Sequence, residues 1–216
     1  MEKKIYRIKK TTETMVSEKI ILDCANTAEI SCFSWDENGY RPKSEARVLY
    51  TEKGLHVYMI SYENKITATY TKMHDPVYKE SCMEFFIKPN PEKDDRYLNF
   101  EFNAIGTLNS GLGKDRFERL AIPEIYLERF KISASVKKEN VKDFCGPFWS
   151  VRFFIPFDFI EEYFGKIHAG PGTEMMGNFY KCGEVVDYPH YGCWNEIKNE
   201  RPDFHRPECF GRLVLE

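Results

Sequence analysis

Two stretches near the end of the chain hold residue types that can do chemistry: Tyr188 to Glu196, "YPHYGCWNE", and His205 to Gly211, "HRPECFG". His190, Cys193, His205 and Cys209 read H-x2-C-x11-H-x3-C. Imidazoles and thiolates in short pairs around a longer gap suit tetrahedral zinc, and Cys182 offers a further thiol. The ligand order is unusual, however, and each pair mixes types, so separate packing cysteines account for the same residues. The other candidate in the first stretch is Trp194. The proline and glycine beside it argue for a loop, and an indole on a loop is either a flat face for a ligand or buried against a sheet.

Glu84 and Glu101 are a second possible constellation, a carboxylate pair of the kind that hydrolyses glycosidic bonds. Carboxylates that only accept hydrogen bonds from hydroxyl groups fit the same residues. No Ser-His-Asp order, phosphate-binding loop or HExxH stands in the chain, and "GLGKD" and "AGPGT" do not fit the phosphate-loop pattern. Met175, Met176 and His205 could serve a haem, but their spacing points to nothing.

The elements that must position these residues follow a period of two. In "YLNFEFNAI", Leu98, Phe100, Phe102 and Ala104 share one face; Tyr97, Asn99, Glu101 and Asn103 share the other. "CMEFFIK" sets Met83, Phe85 and Ile87 against Cys82, Glu84, Phe86 and Lys88. Further strands are expected in "ARVLYTE", "LHVYMISYE", "RFKISASVKK", "WSVRFFIP", "GNFYKC" and "FGRLVLE", separated by turns such as "ENGY", "NPEKDD" and "AGPGT". Trp149 alternates with Val151, Phe153 and Ile155 and reads as core, while Trp35 sits undecided by a turn. Helix is scarce. "PFDFIEEYFG" is the best candidate, with Asp158 as cap and Gly165 as stop. The segment from "SGLGKDRFERL" to "IPEIYLERF" is loop or broken helix. The expectation is an all-β fold, an antiparallel β-sandwich of two sheets with one or two short helices, forming a single domain over residues 1–216.

The polar face of "YLNFEFNAI" bears on function. It carries amides, a carboxylate and a tyrosine in place of a Lys/Glu/Thr mixture. Such short planar groups are what a polyhydroxylated ligand needs, although Asn99 and Glu101 could equally face water.

Composition narrows the classes. With 216 residues and 15% aromatics, 17 of them Phe, the chain can bury a sizeable core. A formal charge of -3 gives no electrostatic case for nucleic acid, and the lysines of "MEKKIYRIKK" read as a solvated end. No apolar stretch approaches the roughly 20 residues that cross a bilayer. Seven cysteines, an odd number without dense spacing, and no apolar leader segment favour reduced thiols in the cytoplasm, with secretion as the alternative.

"DPVYKESCMEFFIKP", "YLNFEFNAIGTL", "WSVRFFIPFDFI", "GNFYKC", "HYGCWNE" and "FHRPECFGRLVLE" follow one another in an order that resembles carbohydrate-binding modules of family 9, from about "GLHVYMIS" to the C-terminus. The resemblance implies an antiparallel β-sandwich and non-catalytic binding of gluco- or xylo-configured saccharides. A sugar ring would be clamped between two aromatics with a carboxylate and amides at its edge. On that pattern Trp194 is one aromatic and Tyr78, six positions before Glu84, the other; the family usually has Trp where this chain has Tyr78. The apolar face of a pyranose would lie on the indole, His190 and Cys193 would pack beneath it, and His205 would brace the loop. Asn103, at the end of one polar face, and Asn178, opposite Phe179, complete the expected ligand-binding set of Tyr78, Glu84, Asn103, Asn178 and Trp194. No catalytic residue, metal or cofactor is expected. A hydrolase or a zinc-stabilised interaction domain are the alternatives.

Overall fold

The computed structural model describes residues 3–216. The alternating segments form strands β1 (Ile5–Lys10), β2 (Ala28–Glu29), β3 (Ser44–Thr51), β4 (Gly54–Ser61), β5 (Cys82–Lys88), β6 (Tyr97–Asn103), β7 (Leu108–Gly113), β8 (Arg119–Ala121), β9 (Ser133–Ala134), β10 (Trp149–Pro156), β11 (Glu174–Gly183), β12 (His190–Cys193) and β13 (Gly211–Leu215). Hydrogen bonding joins them in the order β8-β7-β6-β5-β11-β13-β1-β3-β4-β10-β9, with β12 paired to β11 and β2 to β3.

This mostly-β sheet is mixed, which corrects the purely antiparallel expectation. The cause is β1, which runs parallel to β13 on one side and to β3 on the other. The N-terminal run is thus a strand in the middle of the sheet. Its lysines face solvent, while Tyr6 and Ile8 are buried between its neighbours. Polarity concealed it, because only two of six positions are inward-facing.

The sheet curls over a shared core. Phe153 of β10 packs against Phe100 and Phe102 of β6, with ring centroids 5.8 and 4.5 Å apart, although β6 and β10 are far apart along the path. Trp149, Val151 and Ile155 join them, as their alternation predicts, and the Trp149 indole N–H donates to Glu63 at 2.7 Å.

Two α-helices are present among the described residues. α1 (Glu18–Cys24) was not legible beforehand; the Ser17 hydroxyl accepts from the Ile20 N–H and caps its first turn. α2 (Phe157–Phe164) lies where expected and ends at Gly165, whose φ of 73° is the left-handed conformation glycine tolerates. Its N-cap is Pro156, and Asp158 sits inside the first turn instead. Of "RFKISASVKK" only Ser133–Ala134 is strand, and Glu124–Phe130 is a 3-10 helix. None of the helices among the described residues is long and apolar enough to cross a membrane.

The expected loop around "HYGC" is strand β12. Gly192 makes this possible, because a Cβ there would stand 2.9 Å from the Phe33 ring and 3.2 Å from Ile30. The glycine therefore marks a close approach within a sheet, a role that sequence alone does not separate from a turn. On the outward face of β5, β6 and β11 a second apolar cluster forms, in which Phe86, Tyr97 and Tyr180 are covered by Ile197, Phe204 and Phe210 of the C-terminal segment.

Candidate functional site

Beside that second cluster the outward face opens into a cavity of about 330 Å³. Strand parity selects its floor. Glu84 of β5 lies opposite Glu101 of β6, which lies opposite Asn109 of β7; Asn99 lies opposite Gly111. Directly paired residues share a face, so the polar side chains of three neighbouring strands converge on one patch. A Cβ at position 111 would press on the Asn99 side-chain oxygen Oδ1 at 3.3 Å, so the glycine leaves the floor open.

Hydrogen bonds hold the floor in place. Glu101 accepts from the Asn99 amide at 2.7 Å and from the Asn109 amide at 2.8 Å, one on each carboxylate oxygen. Asn99 in turn accepts from the Arg119 guanidinium, which lies over the Tyr97 ring at 4.4 Å. Each group orients the next, so little freedom is left to lose on binding. Burial pushes Glu101 up to about 7, against the hydrogen bond from Asn109 and the charge of Arg119. Burial raises Glu84 well above the usual carboxylate range, with the Cys182 thiol and Glu101 adding to it. Among the described residues, the only side-chain donors to Glu84 are the thiols of Cys182 and Cys82.

The walls come from separate segments. Tyr78 stands on the 3-10 turn Val77–Lys79, anchored by buried Val77. Tyr191 comes from β12, Phe204 and His205 from the C-terminal segment, and Arg116 and Arg119 from the β7–β8 hairpin. His74 completes the rim with a φ of 69°, unusual for a residue with a side chain. Its Nε2 lies 3.0 Å from the Ile122 carbonyl, to which it donates, and its buried Nδ1 has no hydrogen-bond partner among the described residues. His205 lies with Nδ1 2.8 Å from the Tyr97 hydroxyl and is held neutral, with its pKa down at about 3, by burial and then by Arg119 and Arg116.

Of the expected ligand set, Tyr78 and Glu84 line this cavity; Asn103, Asn178 and Trp194 do not. Trp194 follows the end of β12, and parity turns it to the face opposite Tyr191. It is 5% exposed, buried edge-on against Tyr6 and Phe179, and presents no face to solvent. Asn178 is fully buried and spends its amide on Asn195, donating to the carbonyl at 2.8 Å and accepting from the N–H at 2.9 Å. Asn103 is equally buried and holds the segment that carries Tyr78 by donating to the Tyr70 carbonyl on one side of it and to Glu80 on the other. The cavity side chains that the sequence reading left uncommitted are chiefly Asn99, Glu101, Asn109, Arg119 and Tyr191. The polar face of "YLNFEFNAI" was the signal for the first two.

His190, Cys193, His205 and Cys209 do not converge. His190 sits beside Lys181, at 2.7 Å, within reach of Glu63. Cys193 pairs with Cys32 across an isolated bridge, and His205 faces Tyr97. His190 and Cys193 do not lie beneath a stacking indole either, since Trp194 belongs to the core.

The chain is thus a mostly-β protein whose outward face carries a cavity of oriented amides and acids between aromatic walls. The model of carbohydrate-binding family 9 matches residues 14–215, and the chain belongs to that family. It is similar over its whole length to a solved protein from Bacteroides uniformis described as a candidate carbohydrate-binding protein, at 26% identity, with all of both chains covered and a TM-score of 0.86. Its fold is also similar to that of a family 9 module from Caldicellulosiruptor kristjanssonii, solved with cellotriose and with glucose. The two comparisons give 12% and 13% identity and TM-scores of 0.64 and 0.65, cover 99% of this chain, and cover 94% and 96% of the module. No curated protein matches the chain.

Proposed function

We propose that this protein binds a saccharide, gluco- or xylo-configured, in the cavity floored by Glu84, Asn99, Glu101 and Asn109, and does not cleave it. The ring would lie between Tyr78 and Tyr191, with Phe204 closing one side. The observation that carries this reading is the hydrogen-bonded floor, a patch of planar donors and acceptors fixed beneath aromatic walls. Family membership supports the ligand class, and the glucose and cellotriose held by the Caldicellulosiruptor module favour gluco-configured sugars. The volume sits at the lower end of small-molecule sites, which are roughly 300–1,000 Å³, and suits one or two sugar rings. The likeness of fold also supports reading the curled sheet as a two-layer sandwich.

A hydrolase reading is weaker. Both oxygens of Glu101 are occupied by amide donors, and burial favours the protonated form of both carboxylates, so neither is a ready nucleophile. The test is a titration of glucose, xylose and short cello- and xylo-oligosaccharides by calorimetry, with product analysis of the same mixtures. Binding at micromolar to millimolar concentrations without new reducing ends is expected. Turnover, or no heat from any of these sugars, would sink the reading.

A further inference from the structure

Cys82 and Cys182 are directly opposed in the β5–β11 pairing, and Glu84 lies two residues along β5 on the same face. One ligand atom from each of the three falls within 4.8 Å of the others, and all three side chains are buried. No other group of three such donors forms among the described residues. The Cys182 sulfur is 3.1 Å from Glu84 Oε1, and the Cys82 sulfur is 3.9 Å from the same oxygen.

These spacings bracket those of a known coordination shape. With Zn–S near 2.3 Å and Zn–O near 2.0–2.2 Å, ligand atoms on a tetrahedron lie roughly 3.5–3.8 Å apart. Small side-chain adjustments, of up to about 1 Å, would bring the three donors onto one face of such a tetrahedron. Access exists as well. Glu84 and Cys182 line the cavity, so an ion held there would keep its fourth position toward the opening. The plain alternative is that the thiols pack as small apolar groups. It leaves unexplained why a buried carboxylate has been given only thiols, which are weak donors, as hydrogen-bond partners.

We propose that Cys82, Glu84 and Cys182 form a binding site for a thiophilic divalent cation such as zinc, at the floor of the cavity and open to it. Binding replaces the two thiol protons, and the carboxyl proton where present, with one ion; no oxidant or reductant takes part. Because Glu84 also belongs to the saccharide floor, the ion and a sugar compete for that cavity.

Cobalt(II) is the probe, added to protein kept reduced with a phosphine. One equivalent should give sulfur-to-cobalt charge-transfer absorption and the intense visible bands of tetrahedral cobalt, both abolished by excess zinc. Cys82→Ser and Cys182→Ser should each weaken cobalt binding at least tenfold, while Cys193→Ser and Cys209→Ser should leave it unchanged. Absence of the charge-transfer band in the parent protein overturns the proposal whatever the variants do, and so does a band that survives in both Cys82→Ser and Cys182→Ser. The sulfur band is read without sugar present, so failure of the saccharide reading leaves this test intact. Adding a bound sugar should lower cobalt affinity, and simultaneous binding with unchanged affinity would overturn the shared role of Glu84.

Discussion

Trp194 donates its backbone N–H to the Phe179 carbonyl at 2.9 Å and sets its indole edge-on to the Phe179 ring, 5.8 Å between centroids. The pairing of β11 with β12 therefore continues one residue beyond β12, and it decides which face the indole takes. Trp194→Ala is expected to act on stability, with a loss of about 3–5 kcal/mol for a large aromatic removed from a core. Denaturant unfolding measures this directly. Saccharide affinity of the folded protein should persist; lost affinity at unchanged stability would return Trp194 to the binding site.

The same indole constrains Gly211. A Cβ there would stand 2.4 Å from the Trp194 ring and 2.9 Å from the Lys4 carbonyl, and neither rigid neighbour can yield cheaply. Gly211→Ala is expected to cost about 1–3 kcal/mol, the usual range for overpacking. The unfolding midpoint should fall accordingly. An unchanged midpoint would mean that β13 shifts freely against β1, contrary to the parallel pairing seen here.

Tyr78 and Tyr191 line the cavity and are each half-buried. Replacing either by Ala should cost about 2 kcal/mol of saccharide binding, roughly 30-fold in affinity, as for a stacking aromatic at an interface. Stability should change far less than for Trp194→Ala. Calorimetric titration beside a denaturation curve separates the two effects. Affinity retained in both variants would exclude an aromatic clamp in this cavity.

The strands and the faces of β5 and β6 were legible because their alternation is unbroken: Met83, Phe85 and Ile87 inward, Asn99 and Glu101 outward. Tyr191 and Trp194 were not, because proline, glycine and histidine around them resemble a loop. Only the β12 register, with Cys182 opposite Tyr191, shows that Tyr191 faces the cavity and Trp194 the core. A one-residue error in parity exchanges the two faces. Asn103 and Asn178 were placed on the correct outward face, but sequence does not reveal that Tyr70, Glu80 and Asn195 already use their amides. Arg119 and Phe204 reach the site from segments with no periodic signal at all.

Asn103 ties β6 to the segment that carries Tyr78. Its amide nitrogen donates to the Tyr70 carbonyl at 2.9 Å and to Glu80 at 3.0 Å, and its oxygen accepts from the Thr107 N–H at 3.0 Å. Asn103→Ala leaves these groups short of partners and is expected to cost about 1–3 kcal/mol. Amide exchange across residues 69–80 should speed up, with a secondary fall in saccharide affinity. Unchanged exchange there would show that Glu80 and its contacts to Thr69 hold the segment alone.

His205 supplies the pH dependence. Its folded-state pKa is lowered from the ordinary 6.5 to about 3 by burial and by the charges of Arg119 and Arg116. The unfolded chain therefore binds a proton that the folded chain refuses, and stability falls as pH drops below about 6.5, by roughly 1.4 kcal/mol per unit from this group, until the folded form protonates near 3. His190, lowered to about 4, adds in the same direction. Glu101, raised to about 7, works the other way: the folded state holds its proton, so its contribution is full below the ordinary 4.5 and is lost as pH rises toward 7. His205→Phe removes one acid-destabilising group but also strands the Tyr97 hydroxyl, so absolute stability is a poor readout. The difference in unfolding free energy between variant and parent, followed from pH 7 to pH 4.5, isolates the titration and should move steadily in favour of the variant. An imidazole resonance of His205 with its midpoint near 6.5 would contradict a buried neutral ring.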